Sequence, residues 1–311
     1  MKPRILVLMS AYNGEKYIRE QIDSVLEQEK REGSFTLTLR VRDDGSSDGT
    51  LGILEEYRQA FPEKIEIMPG DNLGYNGSFF TLLDGAEAYD YYALCDQDDK
   101  WLPGKLERAL KLLRSQEDRE GMIPLLYACP SFLTDADLNP RGLTRLKKRP
   151  LVPRNTLIQN ICPGHSQVMN PALLKLVQRP RDLNGVYVYD LWITNLASLY
   201  GRILFDPEPG AYYRQHKDNE LGSKGSALGK LIRAGRRSFS GEGIKNKRQM
   251  AYFAEQNREA LEKTGLYGKV QQMLKADSFR KRLSFVISCP FYRQSRLETT
   301  AFKLAFLMGK Y

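Results

Sequence analysis

Cysteine and long apolar runs are both scarce in this chain of 311 residues. The four cysteines (Cys95, Cys129, Cys162, Cys289) stand far apart and form no paired-ligand spacing, which argues against a zinc module or disulfide framework and for a reducing cytoplasm. The longest apolar stretches, such as Leu283 to Cys289, fall well short of the roughly 20 residues that span a bilayer. Residues 1–10 are apolar but lack a small-residue cleavage site, so no secretory leader is expected and the protein should stay on the side where it is made. Internal repeats, low-complexity tracts and nucleic-acid-binding motifs are also missing, so nucleic acid is not an expected partner.

What is present suits a folded enzyme. Apolar residues make up 41% and aromatics 10%, enough to bury a substantial core, and the length fits one large domain with an appendage, or two domains. Charge is unevenly placed. Residues 221–311 carry 19 Lys/Arg against 6 Asp/Glu, a net of +13, whereas residues 1–220 carry 28 against 32, a net of −4. The expected division is therefore 1–220 as the catalytic domain and 221–311 as a basic, mainly helical module, with joints at 222–226 and 238–243.

Apolar periodicity predicts strands near 4–9, 35–42, 64–68, 91–95, 124–129 and 202–206, alternating with helices near 15–29, 50–60, 76–88, 103–116, 171–178 and 189–200. Ile18, Ile22, Val25 and Leu26 form one helical stripe; Leu51, Leu54 and Tyr57 form another. Such alternation implies an α/β fold with a mixed, mainly parallel sheet covered on both faces. Beyond residue 244, Met250, Phe253, Ala254, Phe302, Ala305 and Phe306 recur at helical spacing with basic residues between them.

The strand at 91–95 runs straight into Asp96, Asp98 and Asp99. Like charges packed this closely raise one another's pKa, and a divalent ion with hard oxygen ligands, Mg²⁺ or Mn²⁺, relieves them while leaving positions open for substrate phosphates. A solvated loop with an aspartate capping the next helix is the plainer reading of the run alone. Two further strands end in polar turns, Ser10-Ala11-Tyr12-Asn13-Gly14 and Asp43-Asp44-Gly45-Ser46-Ser47-Asp48-Gly49-Thr50. In an open parallel sheet the strand carboxyl ends face the ligand crevice, so the three should converge.

These two turns, Asn72-Leu73-Gly74-Tyr75-Asn76-Gly77 and Asp96-Gln97-Asp98-Asp99-Lys100-Trp101, in this order and spacing, resemble the inverting glycosyltransferases of family 2, which have the GT-A fold. The resemblance covers about residues 3–222 and implies the roles that follow. Tyr12 would stack on the nucleobase and Asp44 accept its ring N–H, with Asn13 in the same turn; Ser10, Asn76 and Asp96 would line ribose and diphosphate. Asp98 would hold the metal, with Asp96 either a second ligand or turned to the ribose, and His216 a third. Asp190, in Tyr187-Val188-Tyr189-Asp190-Leu191-Trp192, stands where the family keeps its catalytic base, although the residue before it is Tyr189 where the family has Glu or His; Asp182 is the alternative base.

Trp101, His165 (in Cys162-Pro163-Gly164-His165) and Trp192 are candidates for the acceptor subsite. The Gln-x-x-Arg-Trp motif of processive members is replaced by Tyr213-Arg214-Gln215-His216, so the chain looks most like bacterial rhamnosyltransferases that extend cell-surface polysaccharides one sugar at a time. That implies a nucleotide-diphosphate sugar donor, best dTDP-L-rhamnose, and a lipid-linked saccharide acceptor. The expected place is the cytoplasmic face of the plasma membrane, held to anionic lipid by the basic module, unless that module forms a homo-oligomer contact instead. A UDP-hexose or UDP-N-acetylhexosamine donor is the alternative within enzymes; a non-catalytic scaffold that binds sugar nucleotides is the alternative outside them.

Overall fold

A computed structural model describes residues 2–30, 34–215 and 241–310. His216 and the joint expected at 222–226 lie outside the described residues. The main sheet has seven strands in the order β10-β6-β9-β4-β1-β2-β3. β1 (Arg4–Ala11), β2 (Thr36–Asp43), β3 (Ile65–Pro69) and β4 (Tyr91–Asp96) are parallel, and β10 (Arg202–Phe205) is parallel to β6 (Leu125–Ala128). Between β4 and β6 the two-residue β9 (Val168–Met169) runs antiparallel to both. Its two residues are too short for a periodicity signal.

The central strands are unbroken apolar runs because both faces are covered. Ile5 to Met9 in β1 and Ala93 to Cys95 in β4 have no exposed surface, and each fully buried Leu, Ile or Val is worth about 1.5–3 kcal/mol. On α1 (Ile18–Lys30) the predicted stripe Ile18, Ile22, Val25 and Leu26 is buried. On α2 (Thr50–Ala60) the buried face is Thr50, Ile53 and Leu54, with Leu51 exposed, so the stripe expected through Leu51 is rotated by about one residue. α3 (Gly74–Asp84), α4 (Lys105–Glu120), α6 (Pro171–Val177) and α7 (Tyr189–Tyr200) follow the predicted helices; α5 (Pro153–Thr156) is a single turn. Asn170 caps α6, its side chain accepting from the Leu173 N–H at 3.1 Å with Pro171 in the first helical position.

A second sheet, in the order β5-β11-β7-β8, is built from β5 (Lys100–Trp101), β7 (Phe132–Thr134), β8 (Pro140–Leu143) and β11 (Ala211–Arg214). Its register pairs Trp101 with Ala211 and Lys100 with Tyr212, so β5 ties the acidic run to the strand that ends in Arg214.

The chain forms two compact units: residues 1–146, 161–180 and 189–220 make the first, and 147–160, 181–188 and 221–311 the second. The second contains α5 and α8 (Gly241–Gln256), α9 (Arg258–Lys263), α10 (Tyr267–Leu274), α11 (Phe279–Ser288) and α12 (Arg296–Leu307). Gln249 binds the segment 181–188, its Oε1 accepting from the Tyr187 and Val188 N–H groups at 2.8 Å each. Gln294 does the same for the Lys148 and Arg149 N–H groups, also at 2.8 Å, and donates to Asn155 Oδ1 at 2.8 Å. Met250, Phe253, Ala254, Phe302 and Phe306 are buried in this unit, as their spacing predicts.

Candidate active site

Register alone brings the strand ends together. Ser10 is the neighbour of Arg42 on one side and Asp96 on the other, and Ala11 is the neighbour of Asp43. The turns after β1 and β2 are then laced to each other. Asn13, in a left-handed conformation (φ 48°), donates its N–H to Ser46 Oγ at 2.9 Å and accepts the Ser47 N–H at 2.8 Å. Gly14 N–H reaches Thr50 Oγ1 at 2.7 Å, and the Gly49 N–H reaches Glu15 Oε2 at 2.6 Å. Ser46, Thr50, Asn13 and Glu15 thus accept backbone N–H groups from the facing turn.

Tyr12 keeps 47% of its surface exposed at the mouth of this pair of turns. Its backbone is held by Gln97, which accepts the Tyr12 N–H and donates to the Tyr12 carbonyl, both at 2.8 Å. Ser10 donates to Ser78 Oγ at 2.6 Å, linking β1 to α3, the helix that also carries the partly buried Asn76. Asp44 is buried, and its Oδ1 pairs with the Arg42 guanidinium and accepts the Leu73 N–H at 3.0 Å.

The acidic run divides by burial. Asp96 and Asp98 are partly exposed, whereas Asp99 is fully buried. Asp99 Oδ1 accepts the Arg214 N–H at 3.1 Å, and Arg214 Nε donates to the Asp98 carbonyl at 2.8 Å. Asp99 Oδ2 has no hydrogen-bond partner but lies 3.6 Å from His165 Nδ1, which is equally 3.6 Å from Asp96 Oδ2. His165 is itself buried, stacked on Tyr213 with ring centroids 4.7 Å apart, its Nε2 2.9 Å from Ser131 Oγ. Burial, and after it the charges of Asp98 and Asp96, push the Asp99 carboxyl well above the ordinary carboxylate range. Nearby, the buried Lys105 ammonium donates to the His165 carbonyl at 2.6 Å and stands 3.6 Å over the Trp101 ring; burial lowers its pKa to about 8.

Asp190 opens α7, and its Oδ2 accepts the Gly164 N–H at 3.0 Å. Gln167 fixes the same turn from below, its Nε2 donating to the carbonyls of Cys162 (2.7 Å) and Asp190 (3.0 Å). Tyr189 is buried flat on Phe79 with centroids 4.2 Å apart, and burial, then the charges of Asp96 and Asp190, raise its phenol pKa.

Residues 6–169 match the sequence profile of "Glycosyl transferase family 2". The chain belongs to this family. It is 27% identical over 237 residues to the dTDP-rhamnosyl transferase RfbG of Shigella flexneri, covering 73% of this chain and 78% of that one. Its fold is shared with solved structures. S. aureus TarS 1-349 in complex with UDP superposes with a TM-score of 0.55 at 18% identity, covering 99% of this chain and 89% of that chain. The mannosyltransferase PcManGT from Pyrobaculum calidifontis, in complex with GDP-Man and Mn²⁺, superposes at 0.53 with 18% identity, covering 100% and 86%. The fold is accordingly GT-A.

Within this family 2 fold, Ser10, Tyr12, Asn13, Asp44 and Asp96 gather at the carboxyl ends of β1, β2 and β4. Among the described residues the three that could jointly offer ligand atoms to a metal are Asp96, Asp99 and His165, all within 4.8 Å of one another; Asp98 is not one of them. His165, Trp101 and Trp192, expected at the acceptor subsite, are buried with 2%, 2% and 4% exposure, the Trp101 ring beneath the Lys105 ammonium. Asp182 caps the turn Leu183–Gly185, accepting the Asn184 N–H at 2.9 Å. Sequence reasoning missed Gln97 and Gln167, whose amides bind backbone, and Gly164, whose N–H holds the Asp190 carboxylate; none leaves a residue-type signature.

Proposed function

We propose that this family 2 glycosyltransferase is inverting and non-processive, uses a divalent cation, and moves L-rhamnose from dTDP-L-rhamnose to a lipid-linked glycan at the inner face of a bacterial plasma membrane. One observation carries the reading. The adjacent residues Gly164 and His165 address two different carboxylates: the Gly164 N–H holds Asp190, and the His165 ring faces Asp96. A base and a diphosphate-side carboxylate are thereby fixed relative to one another, as a single displacement requires.

In this reading Tyr12 offers its exposed ring to the nucleobase and Ser10 and Asn76 line ribose and diphosphate; Asp44, expected to accept the base's ring N–H, is buried with Oδ1 already held by Arg42 and the Leu73 N–H, so its loop borders the base instead. Asp190, oriented by the Gly164 N–H, takes the proton of the acceptor hydroxyl as that oxygen attacks the anomeric carbon on the face away from the diphosphate. One displacement inverts the configuration. The donor set suits Mn²⁺ or Mg²⁺: the Asp96 carboxylate, the buried Asp99 Oδ2 and the His165 nitrogen lie within 4.8 Å of one another, and Asp98, two residues from Asp96, is the further carboxylate the reading assigns to the ion. A bound cation would supply positive charge for the leaving diphosphate.

RfbG's name supports rhamnose, and the UDP in the TarS complex supports a UDP-sugar as the second reading. The test is a thermal-shift screen of dTDP- and UDP-sugars with and without Mn²⁺, followed by transfer and NMR assignment of the product anomer. An upshift and turnover with dTDP-L-rhamnose, with inverted product, is expected; turnover with UDP-sugars alone would give the second reading. Retained configuration would sink the mechanism, and nucleotide binding without any transfer would make the chain a sugar-nucleotide-binding scaffold.

A further inference from the structure

Of the sixteen large apolar side chains that stand exposed among the described residues, six fall between positions 279 and 308. They are not scattered. On α11, Phe279, Leu283 and Ile287 recur every fourth residue and are 57%, 39% and 78% exposed; on α12 and its C-terminal cap, Leu297, Leu304 and Met308 recur at helical spacing and are 72%, 54% and 59% exposed. The inward faces of the same helices are already satisfied. Phe285 packs on Phe306 with centroids 4.7 Å apart and on Phe291 at 6.1 Å, and Phe302 is buried beside them. Folding therefore uses one face of each helix and leaves a second apolar stripe in water.

The stripes lie in a basic field. Residues 279–310 hold seven Lys/Arg and one Glu. Among these, Lys281 pairs with Asp277 at 2.9 Å, Arg282 turns to the Leu307 carbonyl at 3.0 Å, and the Arg293 guanidinium lies 5.6 Å from the Phe302 ring centroid. Among the described residues no helix is long and apolar enough to cross a membrane. Apolar stripes flanked by Lys and Arg on helices too short to span are the pattern of an element that lies in the headgroup region of an anionic bilayer.

We infer that α11 and α12 form a docking face for anionic lipid, with Phe279, Leu283, Ile287, Leu297 and Leu304 entering the interface and the surrounding cations engaging headgroups. A second copy of the chain fits less well, because an isologous pairing would set this positive surface against itself. The inference deepens the proposed function by naming the surface that would bring the enzyme to a lipid-linked acceptor, and it rests on that reading only for its purpose.

The test is co-sedimentation of the full chain with phosphatidylcholine vesicles, with and without phosphatidylglycerol. Binding is expected to the anionic vesicles and to weaken over roughly 0.01 to 1 M salt, as the screening length falls from about 30 Å to about 3 Å. The double variant Ile287→Glu/Leu297→Glu should lose on the order of tenfold in partitioning. The milder Ile287→Gln/Leu297→Gln should lose in the same direction, and both should keep the wild-type melting temperature because these side chains are exposed. Equal binding to neutral and anionic vesicles, no binding at all, or unchanged binding in both variants would overturn the inference; so would a concentration-dependent dimer abolished by the same substitutions, which would assign the stripes to a second copy. The donor-induced thermal shift, read on the same samples, reports the catalytic reading separately: vesicle binding without a donor shift keeps the docking face and removes the enzyme assignment.

Discussion

The side-chain amide of Gln97 holds the Tyr12 backbone at both of its polar atoms, with two 2.8 Å hydrogen bonds. Gln97 lies between Asp96 and Asp98, so the turn that would meet the nucleobase and the run that would meet the diphosphate are fixed to each other by one residue. Gly14 leaves the room for it: a Cβ there would lie 2.2 Å from Gln97 Oε1.

Gln97→Glu keeps size and can accept the Tyr12 N–H but cannot donate to its carbonyl. One hydrogen bond is worth about 0.5–1.5 kcal/mol, so the donor KM should rise up to roughly tenfold with kcat less affected. Steady-state kinetics against donor concentration decide it. A fall in kcat with unchanged KM would mean that the clamp does not serve donor binding.

Asp190→Asn can still accept the Gly164 N–H but cannot take up a proton. Transfer should drop by roughly 10²- to 10⁴-fold while nucleotide binding, followed by calorimetry, survives. If Asp182→Asn were the crippling change, the base would be Asp182, whose carboxylate caps the turn at Leu183–Gly185.

Asp98 and the buried Asp99 are the alternative carboxylates for a cation in the proposed function. Asp98→Ala should abolish transfer and the Mn²⁺-dependent part of nucleotide binding with the melting temperature unchanged, and EDTA should do the same to the wild type. Asp99→Asn should mainly alter stability, because Asp99 is buried against the Arg214 N–H and His165. Loss of Mn²⁺ binding in Asp99→Asn but not in Asp98→Ala would move the ion to the buried Asp96, Asp99 and His165 trio.

Lys105 predicts a pH dependence. Burial lowers its folded-state pKa to about 8 from an ordinary 10.5, so between these values the unfolded chain binds the proton that the folded one has shed. Stability contributed through this group therefore rises with pH across that window, by at most about 1.4 kcal/mol per pH unit, and is flat below it. Urea melts of wild type and Lys105→Met should diverge from pH 8 to 10.5; parallel curves would show that Lys105 titrates normally.

The strands and helices of the first unit were legible because β1, β2 and β4 are apolar on both faces and α1 carries a clear stripe. The convergence of the turns carrying Ser10, Tyr12 and Asp96 was legible because neighbouring parallel strands bring their carboxyl ends to one edge. The small sheet β5-β11-β7-β8 was not, since strands of two to four residues carry too little periodicity. Nor was the burial of Trp101, His165 and Trp192, because composition cannot tell a buried aromatic from an exposed one. Segments 147–160 and 181–188 group with residues 221–311 through the Gln249 and Gln294 amides, a long-range pairing that local pattern does not encode.

The hold on Asp190 comes from a main-chain N–H, and this has a consequence for how such an enzyme can change its taste. A Cβ on Gly164 would fall 1.9 Å from the Tyr189 hydroxyl, so that one position tolerates no side chain, yet the hydrogen bond itself belongs to no side chain at all. Under the proposed function, side chains around this turn could change with the acceptor while the Asp190 carboxylate, the base of that reading, keeps the aim set by a main-chain N–H. Divergence of substrate and retention of chemistry would then reside in different atoms of the same loop.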